Sequence, residues 1–146
     1  MPAFSWRYEI PEDQYYDIGN WHSPYFFLAF FAARRALFES FGASNDKIQK
    51  EGYAVIADEL GPCKFIIPLR RGDIPIIEIT PVLLGRSSMT FLCNVYREGD
   101  PEHRTCASGF TKQKLINRAT GKTVELPEWI RKQLEVMIPP ENPIQQ

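Results

Sequence analysis

From Phe26 to Phe41 the chain is apolar on nearly every side. Phe26, Phe27, Phe30, Phe31, Leu37, Phe38 and Phe41 recur so closely that a helix through them keeps no broad polar face. Ser23 suits an N-cap, Pro24 the first helical position, and Gly42 stands where helices often stop. A helix over 24–41 would be about 27 Å long. Apolar all round, it has to be buried by something that wraps it. Arg34 and Arg35 interrupt the run, and it is too short to span a bilayer, so a buried helix is the expected state.

The wrapping material follows in the sequence. Phe4 to Ile10 alternates and reads as a first strand, followed by a polar loop from Pro11 to Asn20. After the helix, Tyr53–Ala57 and Lys64–Ile67 are strand-like, with Gly61-Pro62 as a break or bulge between them. Arg71-Gly72-Asp73 turns the chain into a strand over Ile74–Leu84. Gly85-Arg86 turns it into another over Ser87–Arg97, where Met89, Phe91, Cys93 and Val95 share a face. Glu98-Gly99-Asp100-Pro101 precedes a strand over Thr105–Ile116, and a short amphipathic helix is expected from Pro127. Pro75 and Pro81 predict an edge or a bulge in their strand. Strand, long buried helix, then four or more antiparallel strands imply an α+β fold in which one sheet curls around one helix.

The 146 residues fit a single domain, read as 1–138, with a Pro-rich tail over 139–146. A formal charge of -1 and a pI near 6.1 provide no general field for nucleic acid or for a membrane surface, so neither is an expected partner. Cys63, Cys93 and Cys106 are odd in number, widely spaced and without metal-ligand spacing. They read as reduced residues of a cytoplasmic protein. The amino-terminal residues lack the charged-then-apolar pattern of a signal peptide.

Chemistry concentrates in Asp17-Ile-Gly-Asn-Trp-His-Ser-Pro-Tyr25, which places a carboxylate, a carboxamide and an imidazole at the mouth of the long helix. Such a cluster suits proton transfer beside a polarised carbonyl. Asp17 is the leading base or nucleophile, against a role in favouring the helix dipole or capping a turn. Asn20 orients water or a carbonyl, or forms an Asx-turn. His22 orients the carboxylate or acts as acid, or is a structural histidine. Trp21 and Tyr25 read as pocket wall. Arg34 and Arg35 are expected to pair with carboxylates of the helix or of a partner.

In order and spacing these pieces resemble the hotdog-fold thioesterases of the 4-hydroxybenzoyl-CoA thioesterase type, over roughly Tyr8 to Leu134. The resemblance rests on the Asp17 and Gly19 lead-in, Ala33-Arg34-Arg35 with Phe41-Gly42, Ile67-Pro68-Leu69-Arg70-Arg71-Gly72-Asp73, Gly85-Arg86-Ser87-Ser88-Met89-Thr90-Phe91, Ala107-Ser108-Gly109-Phe110-Thr111, and Gly121-Lys122 with Leu126-Pro127. Its spacing differs at one point: one residue separates Asp17 from Gly19, where the family usually has two. The Glu often found in the long helix is replaced by the Ala32, Ala33 and Ala36 region. Asp13, in Asp13-Gln14-Tyr15, is the second candidate carboxylate.

The resemblance implies hydrolysis of an acyl thioester of coenzyme A or acyl carrier protein by a homodimer or homotetramer, with no cofactor and no metal. It implies catalytic Asp17, His22 and Asn20. It places Gly19, Ser23 and Tyr25 against the substrate, and Arg86, Ser87 and Ser88 against the nucleotide of coenzyme A. Arg70, Arg71, Lys112 and Lys114 are further possible phosphate contacts. The alternatives are a hotdog enoyl-CoA hydratase or dehydratase, from the spacing of Asp17, Asn20 and His22, and a non-catalytic acyl-binding protein.

Overall fold

The computed structural model describes residues 3–16 and 19–140. A five-stranded antiparallel sheet, in the order β1-β3-β4-β5-β2, curves over the long helix α1, Phe26–Ser40. The strands are β1 (Phe4–Arg7), β2 (Tyr53–Phe65), β3 (Pro75–Leu84), β4 (Ser88–Arg97) and β5 (Thr105–Asn117). Two short helices complete the chain, α2 (Asn45–Lys50) and α3 (Glu128–Glu135). This is the α+β hotdog arrangement expected from the sequence.

The core forms where the helix meets the concave face of the sheet. Ile77 and Ile79 of β3 stand opposite Val95 and Cys93 of β4, and these pair onward with Ala107 and Gly109 of β5. Met89, Phe91, Cys93 and Val95 do share one face, and all four are fully buried. From the helix, Ala29 and Ala33 let the backbone approach the sheet, while Phe30 and Phe38 fill the space beside them. Burying each such phenylalanine contributes roughly 1.5–3 kcal/mol.

The helix is not wrapped all round. Leu28 is 50% exposed, and Phe31 and Ala32 are only partly covered, so one apolar stripe of α1 is left open by this chain. The helix also starts later than the capping pattern suggested. Ser23–Tyr25 forms a 3₁₀ turn with Pro24 near its start, α1 begins at Phe26, and the Ser23 side chain caps neither. The other end is as expected. Gly42, at φ +88°, donates to Glu39 C=O at 3.1 Å and Ala43 donates to Phe38 C=O at 2.8 Å, closing the helix in a Schellman motif.

Two further differences have local causes. Helix α2 was not anticipated, although Ser44 caps it by accepting from Lys47 N–H at 3.2 Å. β2 is one strand rather than two, with irregularities between Ala57 and Glu59 and between Leu60 and Cys63 that absorb Gly61-Pro62. Gly109 permits the second: a Cβ there would lie 2.8 Å from Cys63 Sγ and 2.9 Å from its Cβ. β3 carries the bulge expected of a strand that holds Pro75 and Pro81, and it is interior rather than an edge. Pro75 is its first residue, and the register shifts between Pro81 and Leu83, beyond the reach of β1, whose last pair is Phe4 with Ile79.

Replacing Gly42 by Ala forces a side chain into left-handed backbone. We expect a loss of about 1 kcal/mol, read as a lower urea midpoint with an unchanged slope.

Candidate active site

The mouth of α1 is built by a pinned loop. Tyr15 and Trp21 form an antiparallel bridge, as do Asn20 and Arg70. Tyr16 N–H donates to Asn20 C=O at 2.7 Å, Gly19 N–H to Tyr16 C=O at 2.8 Å, and His22 N–H to Gln14 C=O at 2.8 Å. The segment is tied to the chain before β3 by Trp21 N–H on Leu69 C=O at 2.7 Å and Arg71 N–H on Gly19 C=O at 2.8 Å. Asp17, the leading candidate carboxylate, and Ile18 lie outside the described residues. Their neighbours Tyr16 and Gly19 are held by the bonds just given.

Side chains anchor the same loop in the core. Gln14 is buried and accepts from Trp21 Nε1 at 3.1 Å and from the Tyr8 hydroxyl at 3.5 Å. The Trp21 ring stacks on Phe26, the first residue of α1, with centroids 4.0 Å apart, and on Tyr8 at 5.6 Å. Phe26 meets Phe65, at the end of β2, edge-on at 5.1 Å. This aromatic column fixes the helix start against both the loop and the sheet. The sequence triplet Asp13-Gln14-Tyr15 drew attention to Asp13, yet Gln14 is its buried, bonded member and Asp13 is exposed. The role of Gln14 comes from the tertiary bond to the Trp21 indole N–H, which the triplet does not signal.

Of the candidate residues, His22 and Tyr25 are in ring contact here, with Tyr16, while Asn20 pairs through its backbone with Tyr16 and Arg70. The His22 ring lies 4.0 Å from that of Tyr16 and 5.5 Å from that of Tyr25. Asn20 is partly buried, and its carboxamide has no hydrogen bond among the described residues. Tyr25 N–H donates to His22 C=O at 3.0 Å and Phe26 N–H to Ser23 C=O. Pro24 has no N–H, and Ser23 N–H finds no acceptor among the described residues. A donor at the positive end of a helix is what a developing oxyanion needs. Trp21 is core, not open pocket wall.

The hairpin residues Arg86, Ser87 and Ser88 are not brought to this mouth within one chain. They sit at the far end of β3, about 30 Å along the strand from Pro75. Arg131 of α3 holds that hairpin by donating to Gly85 C=O at 2.7 Å, and Leu126 N–H donates to Arg86 C=O at 2.9 Å. The Arg86 side chain is mostly exposed, 3.8 Å from Glu125. Of the other cations considered for phosphate, Lys112 and Lys114 pair with Asp58 at 3.6 and 3.7 Å on the outer face of the sheet. Arg71 pairs with Glu12 and covers the Tyr15 ring at 4.5 Å. Arg70 is exposed near the loop. No cluster of metal-ligating side chains occurs among the described residues.

Comparison with known proteins agrees with this architecture. Residues 15–134 match the sequence pattern of the thioesterase-like superfamily. Among solved structures, a hypothetical protein of Aquifex aeolicus is 24% identical with a TM-score of 0.80, over 90% of this chain and 98% of its own. A hypothetical protein of Staphylococcus aureus, solved in complex with CoA, is 13% identical with a TM-score of 0.83, over 95% and 87%. The 1,4-dihydroxy-2-naphthoyl-CoA thioesterase of Synechocystis is 15% identical with a TM-score of 0.80, over 90% and 95%. No curated protein matches the sequence.

Gln14→Leu would strand the buried Trp21 N–H. A loss of about 1–3 kcal/mol is expected in thermal melts, while Gln14→Glu, which keeps an acceptor, loses less.

Proposed function

Because the chain belongs to the thioesterase-like superfamily, we propose that its helix mouth hydrolyses an acyl thioester of coenzyme A or acyl carrier protein. The observation that carries this reading is the Ser23 N–H, without an acceptor among the described residues, next in the chain to His22 with its tyrosine contacts. Asp17 acts as general base on water, or as nucleophile. Ser23 N–H donates a hydrogen bond to the thioester oxygen as charge develops on it, and Asn20 orients the carbonyl or the water. His22, set between two tyrosine rings, shapes the entrance and can move a proton at the sulfur leaving group. Gly19 and Tyr25 border the reacting carbonyl.

The working unit in this reading is a homodimer or a higher oligomer of the cytoplasm. Leu28, Leu60, Phe65 and Ile66 are each about half exposed, and Phe65 touches the first residue of α1. An apolar border at a reacting centre supports closure by a second copy. Arg86, Ser87 and Ser88 then serve coenzyme A only at a site shared between subunits.

Two outcomes are expected. Against a panel of acyl-CoA substrates with a thiol-detecting reagent, Asp17→Asn lowers kcat by about a hundredfold or more with an unchanged circular dichroism spectrum. Thiol release that survives the substitution moves the role to Asp13 or His22. In sedimentation velocity the protein runs as a dimer or larger; an active monomer refutes the shared site.

A further inference from the structure

Gln14 holds two consecutive residues at the entrance to α1 through two different atoms. Its side-chain Oε1 accepts from Trp21 Nε1 at 3.1 Å, and its backbone C=O accepts from His22 N–H at 2.8 Å. Ser23 follows at once, so the peptide unit that carries the Ser23 N–H begins at a residue Gln14 bonds. Gln14 is only 7% exposed, at the end of a 3₁₀ turn over Glu12–Gln14. An indole N–H can only donate, so the amide has to turn its oxygen toward Trp21. The Tyr8 hydroxyl reaches the same oxygen at 3.5 Å, a weaker bond.

This clasp also closes a loop. Tyr15 to Asn20 lie between Gln14 and Trp21 in the chain, and position 17 is among them. Backbone bonds from Trp21 to Leu69 and from Arg71 to Gly19 fix where the loop lies against the chain before β3. The Trp21 side chain is held otherwise by stacking on Phe26 and Tyr8. Stacking tolerates a range of offsets, whereas a hydrogen bond weakens steeply as its N–H···O angle closes, so Gln14 supplies the directional restraint. Aim matters here because Pro24 has no N–H to stand in for the donor at position 23.

We propose that Gln14 is a positioning residue for hydrolysis: by gripping Trp21 and His22 it holds the Ser23 N–H and the loop that carries Asp17 in one fixed relation. This rests on the thioesterase reading of the helix mouth and gives Gln14 no contact with substrate. Donor and base then meet the thioester already aimed, and a misplacement of about 1 Å can cost about a hundredfold in rate.

The test is a double-mutant cycle on the best-cleaved ester of the acyl-CoA panel, below the melting range of every variant. Gln14→Leu removes the acceptor, and Trp21→Phe removes the donor while keeping a stacked ring. Each should lower kcat by about ten- to a hundredfold with KM nearly unchanged, and the double variant should lose no more than the poorer single one. Gln14→Glu, which keeps an acceptor, should retain most of kcat. Gln14→Met, which fills the same length, serves if the Leu variant melts early. Additive losses in the double variant, or a kcat per folded molecule that Gln14→Leu leaves unchanged, overturn the proposal. A second readout is independent of turnover. The NMR order parameters of the His22 and Ser23 amides should fall from the rigid value of about 0.85 in Gln14→Leu, while those of Ala33 to Leu37 hold. Unchanged values at His22 and Ser23 refute the clasp. If the intact protein cleaves no ester, the thioesterase reading fails, and the order parameters still decide whether Gln14 sets the Ser23 donor.

Discussion

The structure depends on hiding one helix that has almost no polar side. α1 carries too much apolar surface for water, and a twisted antiparallel sheet is the element that can curve around it. Ala29, Ala33 and Ala36 line the close approach, and Phe30, Phe38 and Phe91 supply the volume between layers. Once the helix is seated, other features follow. Its start is clamped by Trp21 and Phe26, its end by the Gly42 turn, and β3 and β4 are forced to bring their apolar faces inward. The candidate loop is placed by this same packing, since Trp21 belongs at once to the core and to the segment that carries Asn20 and His22.

That dependence explains what was legible in the sequence. Phenylalanine spacing and Gly42 located the helix, and alternation in Met89–Val95 located the inward face of β4, because periodicity reports burial directly. The boundaries at Ser23 and in β2 were not legible. Whether Ser23 caps depends on the 3₁₀ turn around Pro24, and whether Gly61-Pro62 ends a strand depends on Gly109 yielding space across the sheet. α2 escaped notice because six residues provide little periodicity, although Ser44 marked its start.

The site divides along the same line. Clustering of Asn20, His22 and Ser23 follows from their adjacency in sequence and was visible there. Gln14 was not, because its importance comes from a tertiary bond to Trp21 Nε1. The separation of Arg86–Ser88 from the helix mouth comes from the length of β3, a distance that motif order does not convey. Arg34 is the reverse case: the sequence offered an arginine beside an arginine, and folding took one of them out of water while leaving the other exposed.

The irregular pairing of β2 with β5 has a consequence for the outer border of the sheet. An unbroken thirteen-residue strand with Ile56, Leu60 and Phe65 showing would be an inviting template for any stray extended peptide. Here the ladder is regular from Tyr53 to Ala57 and is then offset twice before Cys63. A strand laid alongside would lose step with its host after one short stretch, so β2 discriminates against indiscriminate zippering by its rhythm rather than by charge.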